Sequence, residues 1–379
     1  QPAAALARDG IMVDGFHDYV IRILEAIITA TPEAFSLYES PSRQGDLISE
    51  GEPLRNPAAA DALDALAAEG PDLFYRGEWA RRLAADCAEK GGHIRLEDLA
   101  SYEVVRREPV VFEYRGARVA INPPPSPGGC LVAFALGVIS DWENGGGDWG
   151  RPDHMTNLLR GMRAASLARH DFSMEGGLDI KTMGRLLDEE TIREWQRSIR
   201  LHDLFSRGTT HISVADADGN IASLTASNGE GCAYVLPGTG IMLNNMLGEE
   251  DLHPNGFNRW TPGSRLASMM SPAVVQTPDG TRFALGSGGS NRIRSAVTQV
   301  LVNLLDFGMS PKEAVLAPRI HLERDLLSAE PGFLQETSDA LDAAVPASHH
   351  WPEANLFFGG VHTVSVTQDG HFDGAGDPR

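Results

Sequence analysis

Gly208-Thr209-Thr210-His211-Ile212-Ser213-Val214, continued by Ala215-Asp216-Ala217-Asp218-Gly219-Asn220-Ile221-Ala222-Ser223-Leu224, reads as a strand, a tight turn and a returning strand. Ile212 and Val214 alternate with polar residues, as the two faces of a half-buried strand require. Asp218-Gly219 tolerates the positive φ values of a two-residue hairpin turn, and Ile221 to Leu224 then returns antiparallel. Two β-branched hydroxyl residues, Thr209 and Thr210, therefore stand where the first strand begins. A Thr-Thr pair is ordinary strand sequence by itself. Its surroundings give it chemical meaning.

Downstream lie Pro237-Gly238-Thr239-Gly240-Ile241-Met242-Leu243-Asn244-Asn245, Ser264-Arg265-Leu266-Ala267-Ser268-Met269-Met270-Ser271-Pro272 and the glycine loop Gly286-Ser287-Gly288-Gly289-Ser290-Asn291-Arg292-Ile293. Asp306-Phe307-Gly308-Met309-Ser310, Ala317-Pro318-Arg319-Ile320-His321 and the terminal Gly376-Asp377-Pro378-Arg379 follow. Upstream are Leu6-Ala7-Arg8-Asp9-Gly10, Gly70-Pro71-Asp72-Leu73-Phe74-Tyr75-Arg76-Gly77 and Pro123-Pro124-Pro125-Ser126-Pro127-Gly128-Gly129. In this order, and over nearly the whole chain, these segments resemble the γ-glutamyltranspeptidase family. Its members are N-terminal nucleophile hydrolases that cut themselves before a Thr-Thr-His or Thr-Ser-His. The resemblance makes Gly376 to Arg379 a terminal strand. It implies an α+β fold, a four-layer αββα sandwich with two antiparallel sheets between helical layers. Residues 1–208 would be a large-subunit part, mostly helical with some strands, and residues 209–379 a small subunit beginning with the nucleophile, both sharing one core.

Periodicity read without the resemblance agrees with a helical first half. Apolar residues recur at helical spacing over Phe16 to Thr29, Ala58 to Ala68, and Ala80 to Lys90, which stops at Gly91-Gly92. Val104 to Val119 alternates like strands, Thr156 to His170 and Leu186 to Leu201 read as helices, and an apolar helix from Ile293 to Phe307 follows the glycine loop. That loop lacks the Lys-Ser/Thr of a P-loop and the glycine spacing of a dinucleotide fingerprint, so a nucleotide cradle is disfavoured. Backbone N–H groups at a helix N-terminus serve an oxyanion equally well.

The chain has 379 residues, 42% hydrophobic, with 32 Lys+Arg against 52 Asp+Glu and a net charge of −20. Such an anionic exterior repels nucleic acid and anionic membrane, and no stretch approaches the roughly 20 apolar residues of a membrane span. No basic and then apolar leader opens the sequence. Gln1-Pro2-Ala3 resembles an interior point of the family's large subunit, so the compartment stays open, cytoplasm ahead of a secreted or periplasmic location. Cys87, Cys130 and Cys232 show no CxxC and no zinc spacing. Cys232 follows Asn228-Gly229-Glu230-Gly231 but has no base nearby in sequence. His170, His211 and His321 lack HExxH or matching carboxylate spacing, and no metal or organic cofactor is expected.

A threonine hydroxyl needs a base. Cleavage before Thr209 would supply one in its freed α-amine, with an ordinary pKa of about 7.7 to 8.0, and Gly208 suits the strained backbone of that cleavage. The resemblance further implies that Ser227 stands where a threonine hydrogen-bonds the nucleophile. Asn228 lies near a donor-contacting asparagine. Gly288 and Gly289, with Ser290 as an alternative, match the backbone pair that stabilises the oxyanion, a contribution of roughly 3 to 4 kcal/mol per donor. Arg265 and Ser268 belong to the loop that touches the donor carboxylate. Three positions depart from the family pattern: Met246 replaces a Gln or Glu, Glu249 an Asp, and Met269 the second serine of a pair. A thioether offers no charge-assisted hydrogen bond to a zwitterionic donor.

The expected activity is transfer of an acyl group from a γ-glutamyl or related small-molecule amide to water or an amino acceptor. The two fragments would stay associated, and a homo-oligomer is compatible with the sequence. The competing reading is a catalytically silent homologue that binds a small amide or serves as an assembly subunit. It accounts for Met246 and Met269, whereas Gly208-Thr209 with Gly288-Gly289 favours the enzyme.

Overall fold

A computed structural model describes residues 2–142, 148–171, 179–196, 209–249, 252, 257, 259, 262–323 and 325–379. These form two compact units: residues 1–106 with 228–245, and residues 107–227 with 246–379. This spatial division is of another kind than the proposed covalent boundary at Thr209, which lies inside the second unit.

The first unit is helical because its sequence punctuates helices clearly. In Pro57–Glu69 the Asn56 side chain accepts from the Ala59 N–H, Pro57 opens the first turn, and Gly70 leaves the helix with φ 80°. Glu78–Lys90 ends on Gly91 in the left-handed conformation. The single helix expected over Phe16 to Thr29 is two, Gly15–Ile23 and Glu25–Ile28, because Leu24 sits at φ −91°, ψ 4° between them. Val13, Ile21, Ile28, Leu47 and Ile48 make a small core. Residues 228–245 are fastened to this unit by side chains, with Thr31 Oγ1 donating to Ala233 O at 2.7 Å and Asn56 Nδ2 to Gly240 O at 2.8 Å.

The second unit is built on a six-stranded antiparallel sheet, in the order Phe372–Ala375, Gly360–Val366, Arg282–Gly288, Ala273–Gln276, Ala117–Ile121, Val110–Tyr114. Strand character within Val104 to Val119 begins only at Val110. Behind this sheet pack Pro127–Ile139 and Arg292–Leu305, with Pro152–Asp171 outside them. Twelve of the thirteen residues of Pro127–Ile139 are buried, as an all-apolar sequence requires. No helix among the described residues is long and apolar enough to cross a membrane. The Leu186 to Leu201 helix is instead Ile180–Leu186 followed by Glu189–Trp195, and residues 197–201 lie outside the described residues.

Against the other face of the sheet lies a hairpin, Thr210–Ala215 paired with Ile221–Ala226. Its loop is five residues, Asp216 to Asn220, rather than the expected two. The cause is Asp216: its carboxylate accepts from the Asp218 and Asn220 N–H groups at 3.0 and 2.9 Å, a local side-chain turn that leaves only Gly219 with positive φ, 77°.

Candidate active site

The hairpin turns its polar residues inward and its apolar ones outward. His211, Ser213, Ser223 and Thr225 face the central sheet, while Ile212, Val214 and Leu224 are 52%, 53% and 58% exposed. Hydroxyls therefore do much of the docking. Ser223 Oγ donates to Leu285 O at 2.9 Å, and Ser213 Oγ to His362 O at 3.3 Å. Thr209 stands just before the first strand, half-buried, with its Oγ1 donating to Ser227 Oγ at 3.4 Å.

Two glycines of the strand Arg282–Gly288 make this close approach possible. A Cβ on Gly286 would lie 2.4 Å from His211 Nδ1 and Cε1, and one on Gly288 would lie 1.9 Å from the Thr209 carbonyl oxygen. The glycines at 286 and 288 thus have a steric reason to be there. Beyond them the chain turns sharply: Gly289 has φ 114° and Ser290 φ 50°, and the helix Arg292–Leu305 begins at once. Gly289 also backs onto Gly359, whose Cα lies 2.8 Å from where a Cβ would stand. Thr209, Ser227 and the Gly288-Gly289-Ser290 turn are therefore assembled in one unit around the start of one strand.

The remaining expected residues are placed less uniformly. Asn228 belongs to the first unit, bridged to Glu230, while Asn245 Oδ1 accepts from the Glu230 N–H at 2.8 Å. Met246 opens a short 3-10 turn, Met246–Gly248, and is half-buried like Glu249. Arg265 and Ser268 are half-buried. Met269, expected as a donor contact, is 4% exposed and belongs to the main apolar core. An apolar side chain at that position is drawn inward, where a serine would have no reason to go. Gly208, the other half of the bond to be cut, lies outside the described residues, as does the His170 side chain.

Two features escaped the sequence reading. Ser126, the N-cap residue of Pro127–Ile139, donates from its Oγ to Ser268 O and lies 3.1 Å from Ser268 Oγ. The terminal residues Gly376 to Arg379 follow the last strand rather than forming one. There Arg379 pairs with Glu330 at 2.6 Å and with Asp377 at 2.9 Å, and Asp377 pairs with Arg319 at 2.7 Å, all buried. Burial opposes the Asp377 charge, yet the two arginines hold its carboxyl below the usual range. Arg319 Nη1 donates to Gly359 O at 2.8 Å, so this cluster anchors the segment behind Gly289.

Histidines and cysteines have structural places. His321 is buried, 2.8 Å from Ser295 Oγ and 3.5 Å from Glu323, and burial lowers its pKa. Burial pushes the Cys130 thiol up to about 12, and Cys232 is exposed in the first unit. Among the described residues no three His, Cys, Asp or Glu side chains converge as metal ligands.

Two facing sheets, helices behind the central one, and a threonine opening the strand over a glycine loop define an enzyme of the N-terminal nucleophile hydrolase type. The chain belongs to the γ-glutamyltranspeptidase family, whose model, Gamma-glutamyltranspeptidase, matches residues 1–379. It is 30% identical to the Acylase ACY 1 proenzyme of Pseudomonas sp. (strain SE83) over 393 residues, 99% of this chain and 68% of that protein. To the glutathione hydrolase proenzyme of Escherichia coli (strain K12) it is 29% identical over 411 residues, 100% of this chain and 69% of that one. The structure of a cephalosporin acylase from Bacillus halodurans superposes with a TM-score of 0.83 at 26% identity, covering 100% of this chain and 72% of that chain. The silent reading finds no support among these relatives.

Proposed function

We propose that Thr209 is released as an N-terminal nucleophile by cleavage of the Gly208–Thr209 bond, and that it then carries an acyl group from an amide donor to water or an amine. The observation that carries this reading is the seat of Thr209, hydroxyl on Ser227 and carbonyl against Gly288, beside a turn of two successive positive-φ residues. In each turnover Thr209 Oγ1 attacks the donor carbonyl while its own α-amine takes the hydroxyl proton. That proton passes to the leaving amine, and water or an acceptor amine, deprotonated by the same group, releases the acyl chain. Ser227 orients the hydroxyl. Gly289 and Ser290 supply the oxyanion N–H groups, since the chain leaves the sheet there, whereas Gly288 is still in register with Gly360 and clears room for Thr209.

For the donor, both relatives are informative: one is named an acylase and the other a glutathione hydrolase, at nearly equal identity. Met246 supports a donor less charged near its carbonyl than a γ-glutamyl group, because a thioether leaves an ammonium or carboxylate without a partner. The test is trapping. An electrophilic acyl analogue should add its mass to a fragment that begins at Thr209, and kcat/KM should fall as pH drops through the amine pKa, ordinarily about 7.7 to 8.0. Label on Cys232 instead, or a kcat/KM flat across that range, would refute the assignment.

A further inference from the structure

The strand that carries Thr209 is held by one side chain that the chemistry above does not use. His211 is 4% exposed and lies two residues after Thr209, on the same inward face of the strand. Its ring is fixed at both nitrogens, Nδ1 at 2.8 Å from Thr225 Oγ1 on the paired strand and Nε2 at 2.9 Å from Ser213 Oγ on its own. The Ser213 hydroxyl donates to His362 O, 3.3 Å away on the central sheet. An imidazole with its proton on Nε2 fits that arrangement, donating to Ser213 Oγ while bare Nδ1 accepts from the Thr225 hydroxyl. The result is a one-way chain of donors, Thr225 to His211 to Ser213 to His362 O, that crosses three strands. Gly286 completes the seat, because any Cβ there would lie 2.4 Å from the ring.

We propose that His211 is the positioning residue of the nucleophile: as a neutral Nε2–H imidazole locked between Thr225 and Ser213, it sets the register and depth of the hairpin, and so the place of Thr209 over the glycine turn. An apolar inner face would bury as much surface but slide along the sheet, since apolar contact is non-directional. Two hydroxyl donors fixed on sheet carbonyls, Ser213 on His362 O and Ser223 on Leu285 O, with the His211 ring seated on Gly286, do not slide. Burial pushes the His211 pKa down to about 4, with the nearby His362 adding to the shift, so the neutral form persists over the working range. The proposal rests on Thr209 being the nucleophile.

The test uses the full chain in three variants, beside Thr209→Ala. His211→Phe should lower kcat and the fraction of cut chain by about tenfold or more, with KM changed by less than about threefold, as expected for a misplaced reacting group. His211→Gln, whose amide can donate to Ser213, should recover part of kcat. The pH dependence of kcat/KM should keep its shape in both, because His211 does not titrate in the reaction. In the unmodified protein, 15N-resolved imidazole spectra should show neutral His211 as the Nε2–H form. If His211→Phe fails to fold, that spectrum and Ser213→Ala, expected to lose about threefold or more in kcat, decide the matter. Unchanged kcat in His211→Phe or Ser213→Ala would overturn the proposal, as would an Nδ1–H tautomer, or loss of the acid limb of the profile, which would make His211 the base. An active, cut Thr209→Ala would instead overturn the nucleophile assignment itself.

Discussion

The strand that follows Thr209 was readable from the alternation of Ile212 and Val214, whereas Ser227 and the glycine turn were singled out only by the family resemblance; they stand at a strand end and at a sharp turn before a helix. The roles of Gly286 and Gly288 were not readable, since their need for hydrogen instead of Cβ comes from His211 and Thr209, 75 and 79 positions earlier in the sequence, which pass over them. Met269 misled for a related reason, as a family position says nothing of which way a substituted apolar side chain will turn. With Met269 in the core, the proposed donor preference rests on Met246. Met246→Gln should therefore raise kcat/KM for a γ-glutamyl anilide relative to an uncharged acyl amide by about tenfold, the worth of one charge-assisted contact of about 1.5 kcal/mol. Equal ratios in the two proteins would remove Met246 from the donor site.

Elements were legible where caps and periodicity agree, as in Pro57–Glu69 and Glu78–Lys90, and less so where one side chain rewrites a turn, as Asp216 does. Through-space anchors left no trace in the pattern. Gly288→Ala places a methyl 1.9 Å from the Thr209 carbonyl oxygen, far inside contact distance. It should unseat the hairpin, abolishing self-cleavage while the central sheet persists; normal processing by that variant would show that the hairpin is not seated as described. The buried ions are a second anchor. Asp377→Asn leaves Arg319 and Arg379 with reduced compensation, and removing one partner of a buried pair costs about 3 to 5 kcal/mol. Urea unfolding should register a loss of that order, and a change under about 1 kcal/mol would assign the cluster no such role.

For the molecule as a whole, acid should be the damaging direction. His154 is 1% exposed, stacked on Trp142 at 5.8 Å and 4.6 Å from the Phe307 ring, and its Nδ1 accepts from the Gly150 N–H at 3.1 Å. Burial pushes its pKa down to about 4, as it does that of His211. A folded pKa below the unfolded value of about 6.5 means the unfolded chain binds the proton first, so stability falls as pH drops from about 6.5 to 4. Asp377, held low by its arginines, adds loss in the same direction at the acid end of that range. Unfolding midpoints should drop steadily between pH 7 and pH 4.5, and a midpoint that held or rose would contradict neutral buried imidazoles. The central claim, a nucleophile released by the chain itself, is tested most directly by denaturing mass spectrometry with N-terminal sequencing of the active protein. The account predicts two fragments, the second beginning Thr209-Thr210-His211, and a single uncut chain for Thr209→Ala. An active preparation consisting only of uncut chain would contradict it.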